Sequence, residues 1–210
     1  MHEAKIARSQ AGSQRGTLAG VRIVGGRFRS RVLRAPRGVT TRPTTDRVKE
    51  ALFSALASRL DFSGLSVLDL YAGTGALGLE ALSRGASRVV FVESDREALR
   101  ALEHNVDALG VAAEVQIVGA TVERAGRNLQ GTFDLAFADP PYELVKRGAF
   151  ATVWAGLPSA VGRAWLVLEH GSRDPAPELP ERAVFSHRVY GDTAITIYEP
   201  SLGILATPSS

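Results

Sequence analysis

Asp139-Pro140-Pro141-Tyr142 follows the apolar run 133–138, and these residue types in this order suit the making of a nucleophile from an exocyclic nucleobase amine, whose lone pair is delocalised into the ring. A carboxylate and a carbonyl that accept both N–H bonds draw such a nitrogen toward tetrahedral geometry and aim its lone pair. Asp139 supplies the first acceptor and the Pro140 carbonyl the second, while two consecutive prolines lock φ and so fix the carbonyl direction. Tyr142 adds an aromatic face for an extruded base, a contact worth about 1–3 kcal/mol. Taken alone, the tetrapeptide also fits an ordinary loop after a strand.

A second constellation lies upstream. The segment Val67-Leu-Asp69-Leu-Tyr71-Ala-Gly73-Thr74-Gly75-Ala-Leu-Gly78 reads as a buried strand, a glycine-rich turn and the start of a helix. There the backbone can approach a ligand closely and unpaired N–H groups face it. Glu93 ends the next apolar run, where a carboxylate can take both hydroxyls of a ribose. The pair fits an adenosine-containing ligand. Gly73, Gly75 and Gly78, with Glu93 twenty residues beyond the first, also satisfy the dinucleotide fingerprint. Asp69 favours S-adenosylmethionine over a dinucleotide, because a carboxylate there repels a pyrophosphate but attracts a sulfonium and an ammonium.

The elements that must position these residues follow from periodicity. After Ser63-Gly64, strands are predicted at 66–70, 88–93, 114–118, 133–138 and 163–169, alternating with helices at 76–84, 95–108 and 121–129. That alternation predicts an α/β fold: a Rossmann-like, seven-stranded and mostly parallel sheet with helices on both faces. Residues 183–190 and 193–198 alternate with period two around Gly191-Asp192, which predicts a C-terminal antiparallel hairpin. Ahead of the sheet, Val21–Val24 and Arg27–Leu33 around Gly25-Gly26 predict a small N-terminal β-hairpin. Val48, Leu52, Phe53 and Leu56 predict a helix over 46–59. The expected organisation is a flexible basic arm at 1–20, the hairpin at 21–40, the main domain at 41–200 and a tail at 201–210.

Composition narrows the partner and the compartment. The chain has 210 residues, 45% hydrophobic and 22% charged, enough for one well-buried domain. Its net charge of +3 is asymmetric: residues 1–49 hold 12 of the 25 Lys and Arg and only Glu3 and Asp46 as acids, the footprint of a polyanion partner. A cytoplasmic protein is expected, since no run approaches the roughly 18–20 apolar residues of a membrane span and no secretory signal opens the chain. With no cysteine and four dispersed histidines, no metal is expected. His170, beside Glu169, and the two tryptophans, Trp154 and Trp165, read as packing residues.

The chain resembles the RsmD family of bacterial 16S ribosomal RNA guanine-N2 methyltransferases, over about residues 21–199. Besides the two constellations above, the resemblance rests on Arg22-Ile-Val-Gly-Gly26, Arg42-Pro-Thr-Thr-Asp-Arg47 leading into Ala51-Leu-Phe53, and Gly78-Leu-Glu-Ala-Leu-Ser-Arg-Gly85. It implies transfer of methyl from S-adenosylmethionine to N2 of guanine 966, with the assembled 30S subunit as preferred substrate and a monomeric enzyme. It implies cofactor contacts from Asp69, Tyr71, Gly73, Thr74, Gly75, Glu93 and Ala120, and a base site at Asp139, Pro140, Pro141 and Tyr142. Arg27, Arg29, Arg31, Arg34, Arg42 and Thr44 would face the RNA or brace the site. One departure from the wider class is Gly119-Ala120, where an acidic residue often contacts adenine. Two other readings stay open at this level: a DNA adenine or cytosine amino-methyltransferase, and a non-enzymatic RNA-binding assembly factor that retains the fold.

Overall fold

The computed structural model describes residues 21–35 and 45–200. The expected arm at 1–20, Arg42, Thr44 and the tail at 201–210 lie outside the described residues. The strands are β1 (Val21–Arg22), β2 (Val32–Leu33), β3 (Ser66–Leu70), β4 (Arg88–Glu93), β5 (Val115–Gly119), β6 (Leu135–Ala138), β7 (Trp165–Gly171), β8 (Val184–Tyr190) and β9 (Thr193–Tyr198). The helices are α1 (Asp46–Ala57), α2 (Ala76–Ser83), α3 (Arg96–Leu109), α4 (Val122–Gly126), α5 (Tyr142–Lys146), α6 (Ala149–Ala155) and α7 (Ser159–Gly162).

Seven strands form one sheet in the order β5-β4-β3-β6-β7-β9-β8. The first five are parallel, and β9 and β8 are antiparallel additions. Alternate residues of the central strands go to opposite faces, so each strand is apolar throughout. Val67, Val89, Phe91, Leu135 and Phe137 pack under α1, α2 and α3 with Leu52, Phe53, Leu79 and Leu102. Leu68, Leu70, Val90, Val92, Ala136 and Ala138 pack on the other face with Val122, Phe150 and Trp154. Each such large side chain, fully buried, favours folding by roughly 1.5–3 kcal/mol.

Three expectations are corrected. The stretch 27–33 is not one strand: Gly26–Phe28 is a 3₁₀ turn, Ser30 takes a positive φ, and only Val32–Leu33 pairs with Val21–Arg22. Local alternation loses here to contacts with α2. Glu80, fully buried, accepts from Val24 N at 2.7 Å, Gly25 N at 2.8 Å and Arg84 Nε at 2.8 Å. Ser83 Oγ donates to the Gly25 carbonyl at 2.5 Å and accepts from Phe28 N at 2.8 Å. The helix expected over 121–129 closes at Gly126, and the chain between β6 and β7 holds three short helices, α5 to α7, that were not anticipated. Strands expected at 133–138 and 163–169 each begin two residues later, at Leu135 and Trp165.

Candidate active site

The carboxyl ends of four adjacent parallel strands each bring one carboxylate to the same edge of the sheet: Asp69 on β3, Glu93 on β4, Asp139 directly after β6 and Glu169 on β7. The strand order reverses beside β3, and such a reversal opens a ligand crevice in α/β sheets.

Asp69 is buried, at 3% exposure. Its Oδ2 accepts from Gly78 N at 2.9 Å, in the first turn of α2. Burial, and then the nearby charge of Glu93, push its carboxyl up to about 8 against the pull of the Gly78 amide. Two glycines permit the turn that follows. Gly75 sits at φ +77°, with Leu102 Cδ1 only 2.4 Å from where a Cβ would lie. At Gly78 a Cβ would fall 2.4 Å from Phe91 Cε1, so α2 can pack directly on β4. Gly73, at φ +55°, has open space where a side chain would project.

Glu93 has an additional role. Its Oε2 accepts from Gly73 N at 2.8 Å, and its Oε1 from Ser94 N at 2.7 Å and Asp95 N at 2.8 Å. The carboxylate thus ties the glycine turn to the end of β4. With about four acceptor positions in all, it retains capacity for a ribose hydroxyl.

A cleft of about 460 Å³ opens beside Glu93, walled by Tyr71, Val92, Ala120, Val122, Pro141 and Leu144, with Ser94, Glu123, Glu143 and Arg147 also lining it. This volume is within the range of small-molecule sites. Tyr71 has a positive φ of 58°, and its buried hydroxyl has no hydrogen-bond partner among the described residues. Burial, reinforced by Glu123, raises that phenol to about 12. Such an orphaned donor is costly unless a ligand completes it. The ends of β3, β4 and β5 follow one another at about 4.8 Å spacing, and they carry the glycine turn, Glu93 and Ala120 in that order. This matches the amino acid, ribose and purine of S-adenosylmethionine laid end to end, so the residues present fit that group.

Asp139 lies on the other side of the strand-order reversal, its amide 3.4 Å from the Leu70 carbonyl. The dense surround, then Glu169, Asp69 and Glu93, raise its carboxyl well above the usual range. The side chain is nonetheless open to water, which softens the effect of burial. Among the described residues no donor reaches the Pro140 carbonyl, while the Pro141 carbonyl accepts from Leu144 N at 2.8 Å. Tyr142 opens α5 and is 44% exposed.

The arginines divide. Arg27 pairs with Glu114 and its guanidinium lies 4.6 Å over Phe28; Arg31 donates to the Ala108 carbonyl at 2.8 Å. Ala108 lies in the last turn of α3 and Glu114 precedes β5, so both arginines sit at the sheet edge opposite the carboxylates. Arg34 is nearer the site. Its backbone N–H and carbonyl are both bound by Asn105, whose amide also donates to the Thr74 carbonyl at 3.0 Å. Arg29 and Arg34 project exposed side chains. His170 is fully buried between the Gly171 carbonyl and Thr196 Oγ1, and Trp165 packs edge-on against Phe185. Sequence reasoning missed Glu123 and Asn105. The signal for Asn105 was a polar residue within the apolar stripe of α3.

The family model described as Conserved hypothetical protein 95 matches residues 21–199. YlbH of Bacillus subtilis (strain 168) is 34% identical over 85% of this chain and 98% of its own length. The chain belongs to this family, the RsmD-like methyltransferases. Ribosomal RNA small subunit methyltransferase D of Escherichia coli (strain K12) is 38% identical over 58% of this chain and 60% of that protein. The solved structure of yhhF from Escherichia coli superposes with a TM-score of 0.74 at 31% identity, covering 87% of this chain and 98% of that one. No helix among the described residues is long and apolar enough to cross a membrane.

Proposed function

We propose that this chain methylates the exocyclic N2 of a guanine in 16S ribosomal RNA, guanine 966 in the usual bacterial numbering, on assembled 30S particles, with S-adenosylmethionine as methyl donor. The observation that carries the reading is the exposed Asp139, next to a Pro140 carbonyl that no donor reaches among the described residues, beside a cleft that fits the donor. Its relatives' names support the RNA class.

When bound, S-adenosylmethionine supplies an electrophilic methyl group on a positively charged sulfur. Asp69, Glu93 and Tyr71 bind and orient that cofactor, the first by charge and the other two by hydrogen bonding. Asp139 and the Pro140 carbonyl accept the two N–H bonds of the guanine amine and turn its lone pair toward the cleft. Methylation makes that nitrogen cationic and acidic. Asp139, made a stronger base than an ordinary carboxylate by its dense surround and then by Glu169, takes the released proton. The exposed Arg29 and Arg34 contact phosphate, whereas Arg27 and Arg31 brace the hairpin on the body.

Transfer of labelled methyl to unmodified 30S particles, with nucleoside mass spectrometry, tests the proposal. Label in N2-methylguanosine that vanishes in Asp139→Ala, while cofactor binding persists, is the expected result. Label in another base, or equal transfer to duplex DNA, would overturn the substrate. Particle binding by a wild-type protein that never transfers methyl would favour an assembly factor.

A further inference from the structure

The hairpin turn joining β8 to β9 has no part in the site as described so far, yet it reaches Tyr142. Tyr142 as a residue is 44% exposed, so burial alone does not hold it in place. Its hydroxyl instead shares a hydrogen bond of 3.0 Å with Thr193 Oγ1, across 51 residues of chain. Thr193 opens β9 and pairs across the sheet with Gly171 at the end of β7. The ring passes beside that glycine, since a Cβ there would lie 3.9 Å from Tyr142 Cδ2. The turn is itself anchored, Ser172 N donating to the Asp192 carbonyl at 2.9 Å.

We propose that Thr193 is a positioning residue for the target base: its hydroxyl fixes the plane of the Tyr142 ring, making the exposed face a preset stacking platform beside Asp139. The inference rests on the reading of Asp139 to Tyr142 as the base site. An exposed aromatic side chain restrained at its far end contributes little to folding, because an accessible hydrogen bond largely exchanges one partner for water. The same restraint removes rotamer freedom that substrate binding would otherwise have to quench.

The test is steady-state methyl transfer to 30S particles by Thr193→Val, which keeps the side-chain shape and deletes the hydroxyl. A loss of about two- to ten-fold in kcat/KM for RNA is expected, the range of one hydrogen bond, with S-adenosylhomocysteine affinity and Tm unchanged. Tyr142→Phe should show the same loss, the double variant no further loss, and Thr193→Ser recovery. Unaltered turnover in Thr193→Val, or losses that multiply in the double variant, would overturn the inference alone. Absence of transfer by the wild-type protein would overturn the base-site reading and this inference with it.

Discussion

Binding of the cofactor should release a proton at Asp69. The carboxyl is held near 8 by burial and by Glu93, so at neutral pH the free protein keeps it mostly protonated. A ligand bearing a sulfonium and an ammonium requires the carboxylate. Removing the proton costs about 1.4 kcal/mol, or ten-fold in Kd, for each pH unit below 8. The Kd for S-adenosylmethionine should therefore fall about twenty- to fifty-fold from pH 6 to pH 8, since the carboxyl is still half protonated at pH 8. Above that it should rise again, as a ligand α-amino group with pKa of about 7.7–8.0 loses its own charge. Titration calorimetry in buffers of different ionisation heat would show close to one proton released at pH 6. Asp69→Asn should bind weakly and without this slope. The folding side has a determined sign: a carboxyl whose folded-state pKa lies above 3.8 stabilises the fold at low pH, and that contribution is lost as pH rises through about 8. Asp69→Asn should thus gain Tm over the wild type progressively between about pH 4 and pH 8 and level off above it, toward a limit on the order of 5 kcal/mol. A wild-type Kd that is flat from pH 6 to pH 8 would mean that the Asp69 proton and the cofactor's charges do not compete.

Gly75→Ala forces an alanine to φ +77° and puts a methyl 2.4 Å from Leu102 Cδ1; denaturant titration should show a loss of about 2–5 kcal/mol. Glu80→Ala strands the Val24 and Gly25 amides and Arg84. Hydrogen exchange should then accelerate at residues 23–28 while β3 and β4 stay protected, with a cost of about 3–5 kcal/mol. Tyr71→Phe removes a hydroxyl that has no partner among the described residues, so the free protein should be as stable or up to about 1 kcal/mol more stable. Calorimetry should show its cofactor Kd rising about three- to ten-fold, and an unchanged Kd would mean that the phenol does not meet the ligand.

The central strands were legible because burial on both faces makes each a continuous apolar run, and Asp69 and Glu93 stand out as the charges that end two of them. The C-terminal hairpin was legible for the opposite reason: one solvated face leaves a clean alternation around Gly191-Asp192. The helices α5, α6 and α7 were not, since each has seven residues or fewer, too short for a period of 3.6 to repeat visibly. Arg27–Leu33 carries strand-like alternation that is overruled by Glu80 and Ser83, which lie 55 or 56 positions from the Val24, Gly25 and Phe28 amides they bind. Glu169 is visible as a strand-end acid, but its effect on Asp139 depends on β6 and β7 being neighbours. Thr193 carries no mark in the sequence at all, because only the folded chain places it against Tyr142.

Helix α2 has eight residues, and both of its ends are committed. Its first turn holds Asp69 through Gly78, next to the glycine turn, and its last turn holds the N-terminal segment through Glu80 and Ser83. Deleting or inserting one residue would rotate one end against the other by about 100° and shift it by about 1.5 Å, so no register could satisfy both sets of partners. This helix works as a gauge of fixed length. The count of residues from Gly75 to Arg84 should therefore tolerate no change, and a library of single-residue insertions along the gene should leave a gap there.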